Sequence, residues 1–238
     1  STQAKTLFPY TTLFRSLAGG QTLSATRAQL RQTDKGWHLN LKGLQPAALP
    51  TWPVTELDTD IQHTGSQWQL SPLMLRQPAA TFTGSLAWQD TLRASTQLKG
   101  QLDVRDLARL LEHLDLQPFM ASEQALLKAD LRWAGSPERF QLSSLDGSID
   151  LKTKAGRIRD IDGIPVATRL FGLLNASNLM RRLRLDFTDV TRKGLNFDQI
   201  TLQGDLNDGI SPNARFELDG PSMLVRGRGW VNLNTREL

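Results

Sequence analysis

Apolar and polar residues alternate with a period of two along most of this chain. Trp37, Leu39 and Leu41 are separated by His38 and Asn40, and Leu57, Thr59 and Ile61 by Asp58 and Asp60. Phe82, Gly84, Leu86 and Trp88 share one parity, as do Leu127, Ala129, Leu131 and Trp133. The pattern returns in Leu183, Leu185 and Phe187, in Ile200, Leu202 and Leu206, and in Ala214, Phe216 and Leu218. Side chains of a strand point alternately to its two faces, so this spacing predicts strands with one buried face. Asp34-Lys35-Gly36, Thr64-Gly65-Ser66, Gly135-Ser136-Pro137, Asn207-Asp208-Gly209 and Asp219-Gly220-Pro221 supply turn chemistry between the runs. The expected result is an antiparallel meander with short connections.

Two segments depart from period two. Val104 to Leu116 carries Leu107, Leu110, Leu111 and Leu114 at the spacing of an amphipathic helix. Asp162-Gly163-Ile164-Pro165 opens a second helix, with Val166, Leu170, Leu173 and Leu174 along one side. Both are short and lie among strands, as caps on a sheet would. An apolar-x-Gly-x-apolar pattern also recurs, around Gly84, Gly100, Gly147 and Gly204. A glycine inside a strand marks a bend or bulge. Its repetition predicts a sheet extended by modules rather than a closed barrel.

Thr6 to Ser16 read TLFPYTTLFRS, which resembles a translated sequencing adapter. Residues 1–16 are therefore set aside as artefactual, and 17–238 are read as one fragment whose natural N-terminus is missing. Removing them matters for charge. Lys5 and Arg15 come with no acid, so the formal +4 falls to +2, and Tyr10, the sole tyrosine, disappears. So small and scattered an excess gives no footprint for nucleic acid. Zero cysteines exclude disulfides, thiolate metal sites and cysteine nucleophiles, and three separated histidines (His38, His63, His113) make a poor metal centre. The best candidate for a membrane span, Ile164 to Ala176, is too short and contains Arg169.

Catalytic signatures are missing. Nothing matches a dinucleotide or P-loop glycine pattern, or the serine elbow of hydrolases. Asp160-Ile161-Asp162-Gly163 begins like a calcium loop, but Val166 and Arg169 stand where oxygen ligands belong, and a helix cap explains it better. Asp58 and Asp60 could form an acid–base pair in a cleft; alternation with Leu57 and Ile61 puts them on the solvent face instead. Arg181, Arg182 and Arg184, and Arg226 and Arg228, could bind phosphates. In a strand, though, Arg182 and Arg184 simply alternate with Leu183 and Leu185, Arg226 and Arg228 share a face with Leu224 and Trp230, and a solvated strand face is the default. Asn175-Ala176-Ser177 is a chance-level glycosylation sequon.

The C-terminal third carries a resemblance. Arg169-Leu170-Phe171-Gly172-Leu173-Leu174-Asn175, then Arg181 to Phe187, then Lys193-Gly194-Leu195-Asn196-Phe197-Asp198 resemble the AsmA-like C-terminal region of the bacterial YhdP family. Gly204-Asp205-Leu206 and Leu218-Asp219-Gly220-Pro221 keep the order; Trp52-Pro53-Val54 and Leu131-Arg132-Trp133 extend it upstream. The resemblance implies a mostly β fold, an elongated, curled antiparallel sheet with an open groove and two short capping helices. It implies a periplasmic protein, held in the inner membrane by an anchor outside this fragment, that carries phospholipids toward the outer membrane and supports its barrier. The expected partners are phospholipid acyl chains, with envelope proteins as further candidates and no nucleic acid. No catalytic residue, metal or cofactor is implied.

The residues then expected to line the groove are Leu57, Ile61, Phe82, Leu86, Trp88, Leu127, Leu131, Trp133, Leu183, Leu185, Phe187, Phe216 and Leu218. By itself the alternation fits the core of a closed sandwich at least as well, which would make this a scaffold or protein-binding module. The two readings differ in whether the apolar face is open.

Overall fold

A computed structural model describes residues 23–46, 55–91, 94–113, 118–158, 194–221 and 223–232. Fifteen strands and one α-helix occur among the described residues. The strands are β1 (Leu23–Ser24), β2 (Arg27–Thr33), β3 (Gly36–Pro46), β4 (Thr55–Thr64), β5 (Gln67–Arg76), β6 (Ala80–Gln89) and β7 (Ser95–Val104). After the helix α1 (Leu107–His113) come β8 (Met120–Ser122), β9 (Ala125–Ala134), β10 (Asp146–Thr153), β11 (Gly156–Ile158), β12 (Leu195–Phe197), β13 (Gln199–Leu206), β14 (Ile210–Gly220) and β15 (Met223–Asn232).

Twelve strands form one antiparallel sheet in the order β1-β3-β4-β5-β6-β7-β9-β10-β13-β14-β15, with β2 also on β3. Its two ends do not pair with each other, so the sheet is not closed into a barrel. The meander expected from the turns is present. Asp208 and Gly209, both at positive φ (48° and 73°), make the tight turn into β14. The remaining strands β12-β11-β8 form a separate three-stranded sheet.

The first expected helix starts later than its leucine spacing suggests. Val104 belongs to β7, opposite Ala80, and α1 starts at Leu107. Asp106 fixes that start by accepting a 3.0 Å hydrogen bond from the Arg109 backbone N–H. The second expected helix, the Asp160–Gly163 loop, Arg181 to Arg184 and the Asn175 sequon lie outside the described residues.

Among the described residues three clusters make the core. Ala79, Ala80, Val104 and Ala125 meet Leu110 of α1 at one margin of the sheet. Along the same margin, Ile158 and Phe197 of the small sheet pack on Ile200, Leu218 and Val225. At the opposite margin Trp133, Leu145 and Leu206 form the third cluster beneath the 135–145 connection.

Candidate functional site

Cross-strand partners point to the same face of a sheet, so side-chain parity can be followed from strand to strand. Leu57 stands opposite Leu75, Leu75 opposite Phe82, Phe82 opposite Leu102, and Leu102 opposite Leu127. The row continues through Leu151 and Leu202 to Phe216. A second row joins Ile61, Leu70, Leu86, Leu98 and Leu131. Trp88 and Trp133 both face Thr96, and Leu218 faces Ile200, so they belong to the same side. The ten described groove candidates thus share one continuous apolar face. Leu183, Leu185 and Phe187 lie outside the described residues.

Burial along this face is uneven. One margin is sealed: Ala80, Val104, Ala125, Thr153, Ile200, Leu218 and Val225 are one cross-strand row and all are buried. At the other margin Thr96, Trp133 and Leu206 are buried as well. Between them, Phe82, Leu86, Leu98, Leu102, Leu127, Leu131, Ile149, Leu151, Leu202 and Phe216 are only half-buried. The exceptions lie at the two ends of the central row: Thr59 and Leu73 in the β4–β5 region, at 0% and 5% exposure, and Ala214 of β14 at 2%. Of the ten candidates, Trp133 and Leu218 therefore sit in the sealed margins and the other eight in the half-buried band.

The band has a narrow floor. Gly84, Gly100, Ala129, Ile149 and Gly204 lie opposite one another in one row. Three of the four glycines of the sequence repeat fall in it; Gly147 lies one step away, opposite Leu131 and Leu206. A Cβ on Gly84 would come within 2.1 Å of the Lys99 carbonyl oxygen, so strands β6 and β7 approach too closely for any side chain. Leu98 and Leu102, which flank Gly100, were not among the groove candidates; the repeat around that glycine is the signal that finds them.

The reverse face is mainly polar, and several of its charges are paired across strands. His38 Nδ1 lies 2.8 Å from Asp60 and its Nε2 3.6 Å from Asp58, which also accepts from Asn40 at 2.8 Å. Asp58 and Asp60 are thus cross-strand ties on the polar face, as parity requires. Glu56 sits 3.5 Å from both Lys42 and Arg76. Asn40, with these two cations, holds its carboxyl below the usual range. Asp130 accepts from Gln97 at 2.6 Å and pairs with Lys99 at 3.4 Å. A shallow depression of about 1090 Å³ on this face is lined by Lys99, Lys128, Asp130, Asp150, Arg215 and Arg228, a mixture of signs. Arg226 and Arg228 share the polar side with Leu224 and Trp230, and Arg226 pairs with Glu217 at 2.8 Å.

The Gln97 hydrogen bond, helped by Lys99, lowers the pKa of Asp130 below its ordinary value. A depressed carboxylate stabilises the fold above its unfolded pKa and stops doing so as pH falls through the folded one. Asp130→Asn should therefore flatten part of the stability loss below about pH 4. Urea midpoints at pH 7 and pH 3 measure it; identical acid losses in both proteins would refute it.

Among the described residues no group of three or more histidines and carboxylates converges as a metal would require. Nor is any helix among them long and apolar enough to cross a membrane. What the arrangement offers is area: a band of half-buried aliphatic and aromatic side chains across the sheet, edged by closed packing.

Comparison with known proteins gives this geometry a context. The YhdP protein family matches residues 52–238. The "Intermembrane phospholipid transporter YhdP" of Escherichia coli (strain K12) is 27% identical over 183 residues. That alignment covers 76% of this chain and 14% of the relative, so the chain spans about a seventh of that protein's length. No solved structure matches.

Proposed function

Because this chain belongs to the YhdP family, we propose that its apolar face shields phospholipid acyl chains travelling between the inner and outer membranes. It does so as a periplasmic segment, residues 17–238, of a longer protein anchored in the inner membrane, and thereby supports the outer-membrane barrier. The observation that carries this reading is the inverted burial of the sheet. A closed sandwich buries its centre most completely. Here, from β6 to β13, the margins are sealed and the central rows remain half-buried. Apolar surface left in that state gains from any apolar chain laid on it, by about 0.8 kcal/mol for each CH₂ withdrawn from water. A dozen methylenes then recover roughly 10 kcal/mol, enough to offset much of the cost of leaving a bilayer. No bond is made or broken, and no cofactor takes part.

Photo-crosslinking side chains at Phe82 and Leu131 should capture phospholipid, and those at Lys99 and Arg132, on the polar face, should stay silent. Mass spectrometry of the adducts decides the matter. Equal capture from both faces, or none from Phe82 and Leu131, rules the reading out.

A further inference from the structure

The two margins of the apolar face differ in chemistry, and so do the two ends of a phospholipid. On β6–β14 the sealed margin is aliphatic and closed by α1 and the small sheet. The opposite margin, over β4 to β6, is aromatic. His63 stands opposite Trp68, and Trp68 opposite Trp88. The His63 and Trp68 rings stack at 4.1 Å; the two indoles stack nearly parallel, 5.7 Å apart at 6°. Both tryptophans are half-buried. Among the described residues neither indole N–H has an acceptor. Trp133, further along this margin, contrasts with them: it is buried, donates to the Ser136 carbonyl at 3.2 Å and is covered edge-on by Phe140.

Half-buried indoles with free N–H groups suit a boundary between hydrocarbon and polar groups, which is where tryptophan collects at membrane interfaces. The width suffices: from Ala80 to Trp88, β6 rises about 27 Å, more than the roughly 15 Å depth of hydrocarbon in one bilayer leaflet. We propose that Trp68 and Trp88 form the headgroup margin of the path. A diacyl glycerophospholipid places its ester and phosphate oxygens at the two indole N–H groups, and its acyl chains run inward toward the sealed margin. The proposal rests on the lipid-shielding reading and adds an orientation and a site to it.

The test uses the full chain equilibrated with phosphatidylcholine vesicles carrying a nitroxide either on the headgroup or deep in the acyl chain. Fluorescence lost on making Trp68→Phe and Trp88→Phe isolates the light from these two indoles. The headgroup label should quench that component several-fold more than the deep label. Both variants, which keep an aromatic ring, should retain several-fold less phospholipid, whereas Trp230→Phe on the polar face should retain as much as the parent. Quenching that is equal, or stronger from the deep label, overturns the proposed orientation. Quenching by neither label, with capture at Leu131 intact, overturns the margin site alone. Quenching by neither, with no capture at Leu131, overturns this site and the shielding reading together.

Discussion

Valine in place of Gly84 is expected to separate β6 from β7. Gly84 and Gly100 face each other across the two strands. A Cβ at position 84 would lie 2.1 Å from the Lys99 carbonyl oxygen and 2.7 Å from the Gly100 Cα; one at 100 would lie 2.4 Å from the Thr83 carbonyl oxygen. These are backbone atoms, so no rotamer change relieves the overlap. The strands must part, and the ladder hydrogen bonds go with them. We expect a loss of at least about 3 kcal/mol, the upper end of what overpacking costs. Urea unfolding gives the total, and hydrogen exchange should show protection lost first in β6 and β7. Unchanged stability would mean that the close approach is absent in solution.

The second large effect is expected at the sealed margin. Phe197 is 2% exposed and joins the small sheet to Ile200, Leu218 and Val225. Its ring also occupies the space beside Gly156, where an added Cβ would sit 2.5 Å from Cζ. Phe197→Ala removes the ring and leaves a void that backbone on two sides cannot fill, at a cost of about 3–5 kcal/mol. The loss should be local. Exchange protection should fall at 156–158 and 195–197 while β6 and β7 keep theirs, the reverse of the Gly84→Val result. Uniform loss across both sheets would show that the small sheet is not a separate unit of packing.

Strand existence and facing were legible wherever alternation was unbroken, because both are local properties of the backbone. β5 was missed for a physical reason. Its apolar side chains are Trp68 and Leu70, then Leu73 and Leu75, and a register shift at Ser71-Pro72 changes the parity between them. β3 shifts likewise between Leu41 and Leu44, around Gly43 at positive φ. β2 reads as polar, since only Ala28 and Leu30 supply apolar positions. The helix was placed too early because Val104 stands three residues before Leu107, a spacing that fits a helix and equally fits a strand end.

The site divides in the same way. Parity put Phe82, Leu86, Leu127 and Leu131 on one face without knowledge of the fold. Which candidates are sealed was not readable. Leu218 is closed off by Ile158 and Phe197 of the separate small sheet, and Trp133 by Leu145 and Phe140 of the irregular connection that follows its own strand and carries no periodic signal. The stacking of Trp68 on Trp88 depends on that hidden register of β5, so the aromatic margin could not be read from spacing at all.

The open ends of the meander carry a consequence for scale. Strand length fixes the width of the apolar band, and β4, β5, β6, β7 and β9 are each ten residues long. Its extent in the other direction depends only on how many strands stand side by side, each adding about 4.8 Å. Duplicating one hairpin would therefore lengthen the band by about 10 Å and leave its gauge unchanged. A sheet built this way grows by whole hairpins, and its length can be reset by gene duplication without redesigning a single contact in cross-section.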